Sequence, residues 1–314
     1  MSGDRLVRIA VVGAGYLGRH HARILVGLPG VELIAIADTN AKRAEETADK
    51  VGVSATTDFN ELFGQVEAVT LAVPTDVHRN VAIPFLERGV SVLVEKPIAR
   101  LVSEADEMIS AALKSKATLM VGHTERYNPA TDVALPLAKN PRFIEVHRLG
   151  VFTARSLDID VVFDLMIHDL DVVLAMVQSE VMAIEAVGVP VLTGKVDIAN
   201  ARIRFKSGCI ANLTASRISR DRVRKIRFFQ PDGYISIDYI KQEVESWRLV
   251  RTDNNKPSIE GGKLDVSLEE PLREELADFV RAIRSGTNPR VTGEDGRQAL
   301  VLAQQVADAM VGTL

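Results

Sequence analysis

Short apolar runs and amphipathic stretches alternate through the first 123 residues. The runs are Ile9–Val12, Val31–Ala37, Ala68–Val73, Val90–Val94 and Thr118–Gly122. Each is short and continuously apolar, the pattern of a strand buried on both faces in a parallel sheet. Between them Arg19–Leu28, Ala41–Val51, Asp58–Phe63, Val77–Arg88 and Ser103–Lys114 read as helices. Val77, Val81 and Phe85 recur at helical spacing, Gly89 closes that helix, and Ser103 is an N-cap residue for the next. The alternation predicts a doubly wound parallel sheet over residues 6–123.

After residue 123 the period changes. Arg142–Phe152, Val181–Val191, Ala199–Phe205, Cys209–Ile218, Val223–Phe229, Tyr234–Tyr239 and Val244–Val250 read as strands. Ala201, Ile203 and Phe205 alternate with Arg202 and Arg204, and Lys206-Ser207-Gly208 and Pro231-Asp232-Gly233 are hairpin-like joints. One helix, Val161–Gln178, interrupts the strands, and two more, Pro271–Ser285 and Glu294–Val311, end the chain. Asp253–Gly262 reads as a polar loop. The expected fold class is α/β: the parallel sheet in residues 1–123, then an α+β domain in residues 124–314 with a large, mostly antiparallel open sheet. Seven strands with so few covering helices predict one apolar-striped face left for a second subunit.

Composition narrows this only slightly. The 314 residues are 46% apolar and 25% charged, ordinary for a globular protein with room for two domains. A net charge of −4 offers no attraction to nucleic acid or to an anionic membrane surface. Cys209 is the only cysteine, which excludes an intrachain disulfide and a thiolate metal cluster. Val161–Val177 is apolar but carries Asp164, His168, Asp169 and Asp171, so it is not read as a membrane span. The first strand begins within a few residues of the N-terminus, leaving no room for a signal peptide. The expectation is a cytoplasmic enzyme.

The candidate chemistry begins between Arg8 and Asp38. Strand, Gly13-Ala14-Gly15-Tyr16-Leu17-Gly18, helix, strand and acid follow in the order of a Rossmann dinucleotide fingerprint. Gly13 suits the tight turn, Gly15 the approach of a pyrophosphate, Gly18 close helix–strand packing. Asp38, twenty residues past Gly18, is placed to accept from a ribose diol and to repel a 2′-phosphate, which favours NAD. Thr39, Lys42 and Arg43 leave room for NADP. Parallel sheets present ligands at the carboxyl ends of their strands, so Pro74-Thr75 with His78, Glu95-Lys96-Pro97 and His123–Arg126 are expected at the same crevice. Lys96 follows an apolar strand directly and precedes a proline, which fixes its backbone.

A second constellation is Asp164 with His168, four residues apart on one helix, the spacing of a base and its orienter. Asp169 and Asp171 leave open the plainer reading, that acids on this helix face solvent. Of the adjacent His20 and His21, at most one faces the sheet. Trp247 reads as packing, and no His/Cys/Asp spacing has metal-ligand geometry. Arg217, Arg220, Arg222, Arg224, Lys225 and Arg227 crowd around one acid, Asp221. A solvated strand face and an anion-recognising one are both open.

Taken together these residues resemble the glucose–fructose oxidoreductase, inositol dehydrogenase and rhizopine-catabolism (Gfo/Idh/MocA) family. The likeness is carried by Val11–Gly18, Val73-Pro74-Thr75 with His78, Glu95-Lys96-Pro97, and Asp164 with His168, and it covers essentially the whole chain. It implies an NAD-dependent sugar dehydrogenase in which Lys96, Asp164 and His168 are catalytic. Cofactor contacts would come from Gly13, Gly15, Tyr16, Leu17, Gly18, Asp38, Pro74, Thr75, His78, Glu95 and Lys96. It also implies a homodimer or homotetramer built through the C-terminal sheet. Val121–Ala130 and Phe163–Asp171, with Val223-Arg224-Lys225 and Asp238-Tyr239, look like the subgroup that oxidises UDP-N-acetylglucosamine at C3. That narrower likeness implies a nucleotide sugar touched by His123, Arg126, Tyr127, Asn128, Arg217 and Arg222. Arg217 stands where the subgroup more often carries an aromatic residue. The scaffold also hosts inositol and free-sugar dehydrogenases, glycosidases that use NAD transiently, and non-catalytic NAD-binding regulators.

Overall fold

All five early apolar runs become strands of one parallel sheet in the computed structural model, which describes residues 5–153, 159–251 and 257–310. The strands are β1 (Val7–Val12), β2 (Val31–Ala37), β4 (Ala68–Leu71), β5 (Ser91–Glu95) and β6 (Leu119–Gly122). A sixth, β3 (Ser54–Thr56), was not expected. It has three residues, none buried, so it carries no apolar signal, and it only extends the edge beside β2. The order is β3-β2-β1-β4-β5-β6, which reverses direction between β1 and β4. Helices α1 (Tyr16–Leu25), α2 (Ala41–Val51), α3 (His78–Leu86) and α4 (Val102–Ser115) fill the crossovers. The expected helix at Asp58–Phe63 is a single 3₁₀ turn, Phe59–Leu62.

The chain divides into two units, Met1–Thr124 with Leu272–Leu300, and Glu125–Pro271 with Val301–Leu314. A single cut at residue 123 therefore separates helix Pro271–Ser285 and the start of helix Gly293–Ala309 from the unit they pack in. Met120 bridges Thr292, Arg297 pairs with Asp106, and Gly296 lies against Val121, all on the β6 side of the parallel sheet. An amphipathic pattern announces that a helix has a buried face. It does not say which sheet that face covers.

The second unit holds an eight-stranded sheet in the order β14-β13-β12-β11-β7-β10-β9-β8. Its strands are β7 (Phe143–Leu149), β8 (Val181–Val189), β9 (Ile198–Phe205), β10 (Ile210–Ser216), β11 (Val223–Gln230), β12 (Gly233–Asp238), β13 (Glu243–Arg251) and β14 (Pro257–Leu264). Every pairing is antiparallel except β7 with β10. β14 corrects the loop expected at Asp253–Gly262. Its glycines Gly261 and Gly262 hid the strand, and Asp253–Lys256 lie outside the described residues. Helix α5 (Pro129–Ala134) packs on β12 and β13, and the helix that interrupts the strands begins against β10.

Burial alternates along β7 and β9, so one face is core and the other is open. The open face is not simply apolar-striped. Cross-strand polar pairs occupy much of it: Arg202 donates to Asn212 (3.1 Å), Asn200 to Thr214 (2.9 Å), Lys225 pairs with Asp238 (3.3 Å), and Arg227 with Glu145. Its apolar part includes an aromatic row, beside exposed Val187 and Val189 toward one edge and Leu249 and Ile259 toward the other. Phe143 and Phe229 stack at 5.7 Å, Phe229 and Tyr234 at 5.7 Å, and Trp247 continues the row as the register partner of Tyr234. Trp247 is thus an exposed end of a ladder rather than core packing.

Candidate active site

In the first unit the carboxyl ends of β1, β2, β4, β5 and β6 carry the glycine loop, Asp38, Pro74-Thr75, Lys96 and His123 respectively, as a doubly wound sheet requires. Gly13 turns with φ +98°, and its N–H donates to Ala37 O at 2.7 Å, tying the loop to β2. Helix α1 starts at Tyr16 with no side-chain cap among the described residues and no acid in its first turn. A β-carbon added to Gly15 would meet nothing within 4 Å. The N-terminal turn of a helix beside open space suits an anionic pyrophosphate, so the residues present fit a dinucleotide. Tyr16 and Leu17 are exposed on the rim of this loop.

Asp38 is held from three sides. Oδ2 accepts the Ala14 N–H at 2.7 Å, Oδ1 accepts the Asn40 N–H at 2.8 Å, and the Arg43 guanidinium lies 3.1 Å from Oδ1. The acid is therefore fixed relative to the loop, with carboxylate lone pairs left for a diol. Lys96 is half-buried between the buried residues Glu95 and Pro97, across a cis Lys96–Pro97 peptide.

Two residues expected to contact the cofactor also make internal bracing contacts. His78 is buried with Nε2 3.0 Å from Val73 O and Nδ1 3.1 Å from Pro97 O, which ties the β4 loop to the segment after Lys96. Burial lowers its pKa below the ordinary imidazole value, and the facing carbonyls oppose that shift. Glu95 points beneath the loop, where Oε1 accepts from Nε2 of buried His21 at 3.0 Å. His21, not His20, is thus the inward member of the adjacent pair. Glu275 is buried at the same place: a β-carbon on Gly122 would lie 3.2 Å from Glu95 Oε2 and 3.4 Å from Glu275 Oε1. Burial first, then the Glu95 charge, raises the pKa of the Glu275 carboxyl well above the ordinary range.

In the second unit Asp164 and His168 sit on one continuous helix, both half-buried. The spacing argument needs amendment, because Val162–Met166 is a π-helical turn and α-helix α6 (Ile167–Val177) begins only after it. The i→i+5 pattern widens the turn that carries Asp164. Such a turn leaves no mark in hydrophobic periodicity. Asp169 and Asp171 do not face solvent. Each is 2% exposed, Asp169 accepts two bonds from Arg148, and Asp171 pairs with Arg126 at 3.3 Å.

The residues expected to touch substrate fare differently. His123 is buried at the end of β6. Tyr127 is buried, and Asn128 caps α5 through Ala130 N–H (3.1 Å) while donating to Tyr239 O (3.2 Å). Arg217 is 6% exposed, donates to Ile159 O and lies 3.8 Å from Asp197, so its work is to hold neighbouring loops. Arg222 alone of the six is exposed. The basic run splits across the sheet: Arg224 shares the parity of buried Ile226 and Phe228, whereas Lys225 and Arg227 lie on the open face. Sequence reasoning missed Arg148 and Glu125. The signal was there, since Arg148 falls in step with Ile144 and Val146 on the inward side of a period-two strand. Among the described residues no group of three or more His, Cys, Asp or Glu is placed to hold a metal ion, and no helix is long and apolar enough to cross a membrane.

A parallel sheet whose glycine loop and strand-end acid fit a dinucleotide is the scaffold of a dinucleotide-dependent oxidoreductase. The chain belongs to the Gfo/Idh/MocA family: the oxidoreductase family with an NAD-binding Rossmann fold matches residues 7–123, and the GFO/IDH/MocA C-terminal domain matches residues 140–236. It is 36% identical over 306 residues to UDP-N-acetylglucosamine 3-dehydrogenase of Acidithiobacillus ferrooxidans, covering 97% of each chain. The solved structure of that enzyme superposes with a TM-score of 0.90 at 35% identity, over 96% of this chain and 97% of that one. Myo-inositol 2-dehydrogenase of Thermotoga maritima is 29% identical over 320 residues, 94% of each chain. A levoglucosan dehydrogenase solved with NADH and L-sorbose shares the fold, with a TM-score of 0.87 at 18% identity over 98% of this chain and 97% of that one.

Proposed function

We propose that this chain oxidises a hydroxyl of a nucleotide-activated hexose, UDP-N-acetylglucosamine at C3, with Lys96, Asp164 and His168 as its catalytic residues. The observation that carries the substrate is the 36% identity, over 97% of both chains, to an enzyme of that name. Bound NAD supplies the hydride acceptor. The His168 imidazole takes the proton of the reacting hydroxyl at a ring nitrogen, while Lys96 Nζ donates to the same oxygen and stabilises its developing charge. Asp164 holds a neighbouring hydroxyl or the tautomer of His168. Arg222, exposed where β11 begins and next to half-exposed Arg224, is the candidate cation for a diphosphate.

The test is kcat/KM for the UDP-sugar and for the same sugar without UDP, in wild type and Arg222→Ala. A charge-assisted contact contributes on the order of 1.5–3 kcal/mol, so its loss should raise KM about tenfold or more for the UDP-sugar alone. Equal efficiency on both sugars would remove the nucleotide-sugar reading. Turnover of an inositol instead would favour the second reading, supported by the 29% identical myo-inositol dehydrogenase.

The same proposal includes a homodimer or homotetramer joined through the open face of the eight-stranded sheet. The aromatic row from Phe143 to Trp247 and the half-exposed polar pairs beside it support this. Light scattering should give a mass at least twice that of the chain, and Trp247→Glu should reduce it. A monomer at micromolar concentration would overturn the assembly.

A further inference from the structure

Helix α6 has an unusual problem. Ile167, Leu170, Val172, Val173 and Met176 are all buried and point in several directions around its axis. A helix that is apolar nearly all round has no single stripe to fix its rotation. It also follows directly on a π-helical turn, where the register of the helix has just changed. His168 nevertheless needs one defined orientation if it is to take a proton from one hydroxyl.

The next residue supplies it. Arg148 on β7 is 3% exposed and grips Asp169 with both edges of its fork, Nε to Oδ2 at 2.6 Å and Nη2 to Oδ1 at 2.8 Å. Its third edge, Nη1, donates to Glu125 Oε1 at 3.0 Å. Glu125 is in turn approached by Asn128 Nδ2 (3.4 Å) and Arg224 (3.7 Å), and Thr131 donates to its backbone carbonyl (2.8 Å). Burial opposes the guanidinium charge, but Asp169 and Glu125 outweigh it and keep Arg148 protonated. Two residues further on, Asp171 pairs with Arg126. Planar bidentate pairing fixes direction as well as distance, which a lysine in the same place would not do.

We infer that Arg148 is a positioning residue: through its fork on Asp169, braced by Glu125, it locks the rotation of α6 and so sets where His168 stands. The inference rests on His168 being the base. Desolvation cancels much of the Coulomb gain of a buried ion pair, so exchanging the pair for apolar residues of similar volume is often neutral or stabilising for folding. The lock therefore acts on geometry more than on stability, and the two can be separated by experiment.

The experiment compares wild type, the double variant Arg148→Met/Asp169→Leu, Arg148→Lys and His168→Ala, each with its melting temperature and full kinetics. The double variant should still fold, with Glu125 keeping Arg224 (3.7 Å) and Asn128 (3.4 Å) beside it and melting within a few degrees of wild type, while kcat falls roughly 10²-fold, the usual cost of a misplacement of about 1 Å. KM for NAD should stay within about threefold, because the cofactor loop lies in the other unit. In wild type kcat should reach a plateau above the imidazole range. In the double variant that plateau should give way to a continuous rise with pH, as solvent replaces the displaced base. Arg148→Lys keeps the charge without the fork and should show the same kinetic defect in milder form. It decides the question if the double variant does not fold. A double variant or Arg148→Lys with wild-type kcat and pH profile, beside an inactive His168→Ala, would overturn the lock alone. A His168→Ala that keeps its turnover would overturn the base and the lock together.

Discussion

Lys96→Ala and His168→Ala should each lower turnover roughly 10²–10⁴-fold, the scale of a lost acid–base group, while NAD affinity changes little. The separation follows from where the parts sit. Loop Gly13–Gly18 and Asp38 hang from β1 and β2, and Asp38 is fixed by Ala14, Asn40 and Arg43 without help from either residue. Lys96 directly follows β5, with its neighbour Glu95 anchored on His21 and the segment after it braced by His78. Removing the Lys96 amine should leave those braces intact, so the defect should appear in kcat and not in the melting temperature. Stopped-flow turnover with a fluorescence titration of NADH checks both halves. Near-normal kcat in either variant would make that residue structural and the proposed mechanism wrong.

Legibility in the sequence followed the physics of each signal. The parallel sheet was readable because strands buried on both faces must be apolar throughout, and the glycine loop because its spacing is set by steric limits. β3 and β14 were not, since one has no buried residue and the other carries two glycines inside the strand. The sequence allowed Asp38, Lys96 and His168 to be named as candidates, but not how the structure holds them. Asp169 and Asp171 look like surface acids until Arg148 and Arg126, 21 and 45 residues away, are folded against them. His78 and Glu95 were expected beside the crevice, and their side chains turn into the protein and brace it. Such roles depend on long-range pairing, for which a local motif holds no information. The terminal helices show the same limit, since their pattern does not name the sheet they cover.

The three fingerprint glycines should separate into two kinds when each is replaced by alanine. At Gly18 the added β-carbon would stand 1.7 Å from Gly13 O, and at Gly13 it would stand 2.4 Å from Ala72 O on a backbone already at φ +98°. Both neighbours are main chain and cannot swing aside. Gly18→Ala should therefore destabilise the fold by about 3 kcal/mol or more, the upper end of overpacking costs. Gly15 differs, with φ −70°, which alanine tolerates, and nothing within 4 Å of the new carbon. Gly15→Ala should change stability by no more than about 0.5 kcal/mol, as surface substitutions do. Its methyl group would instead occupy the open space where the fingerprint brings the pyrophosphate against backbone N–H groups. NADH affinity should then fall about tenfold or more, with urea melts of Gly15→Ala overlaying wild type. Unchanged NADH affinity in Gly15→Ala would mean that the pyrophosphate does not rest on this loop.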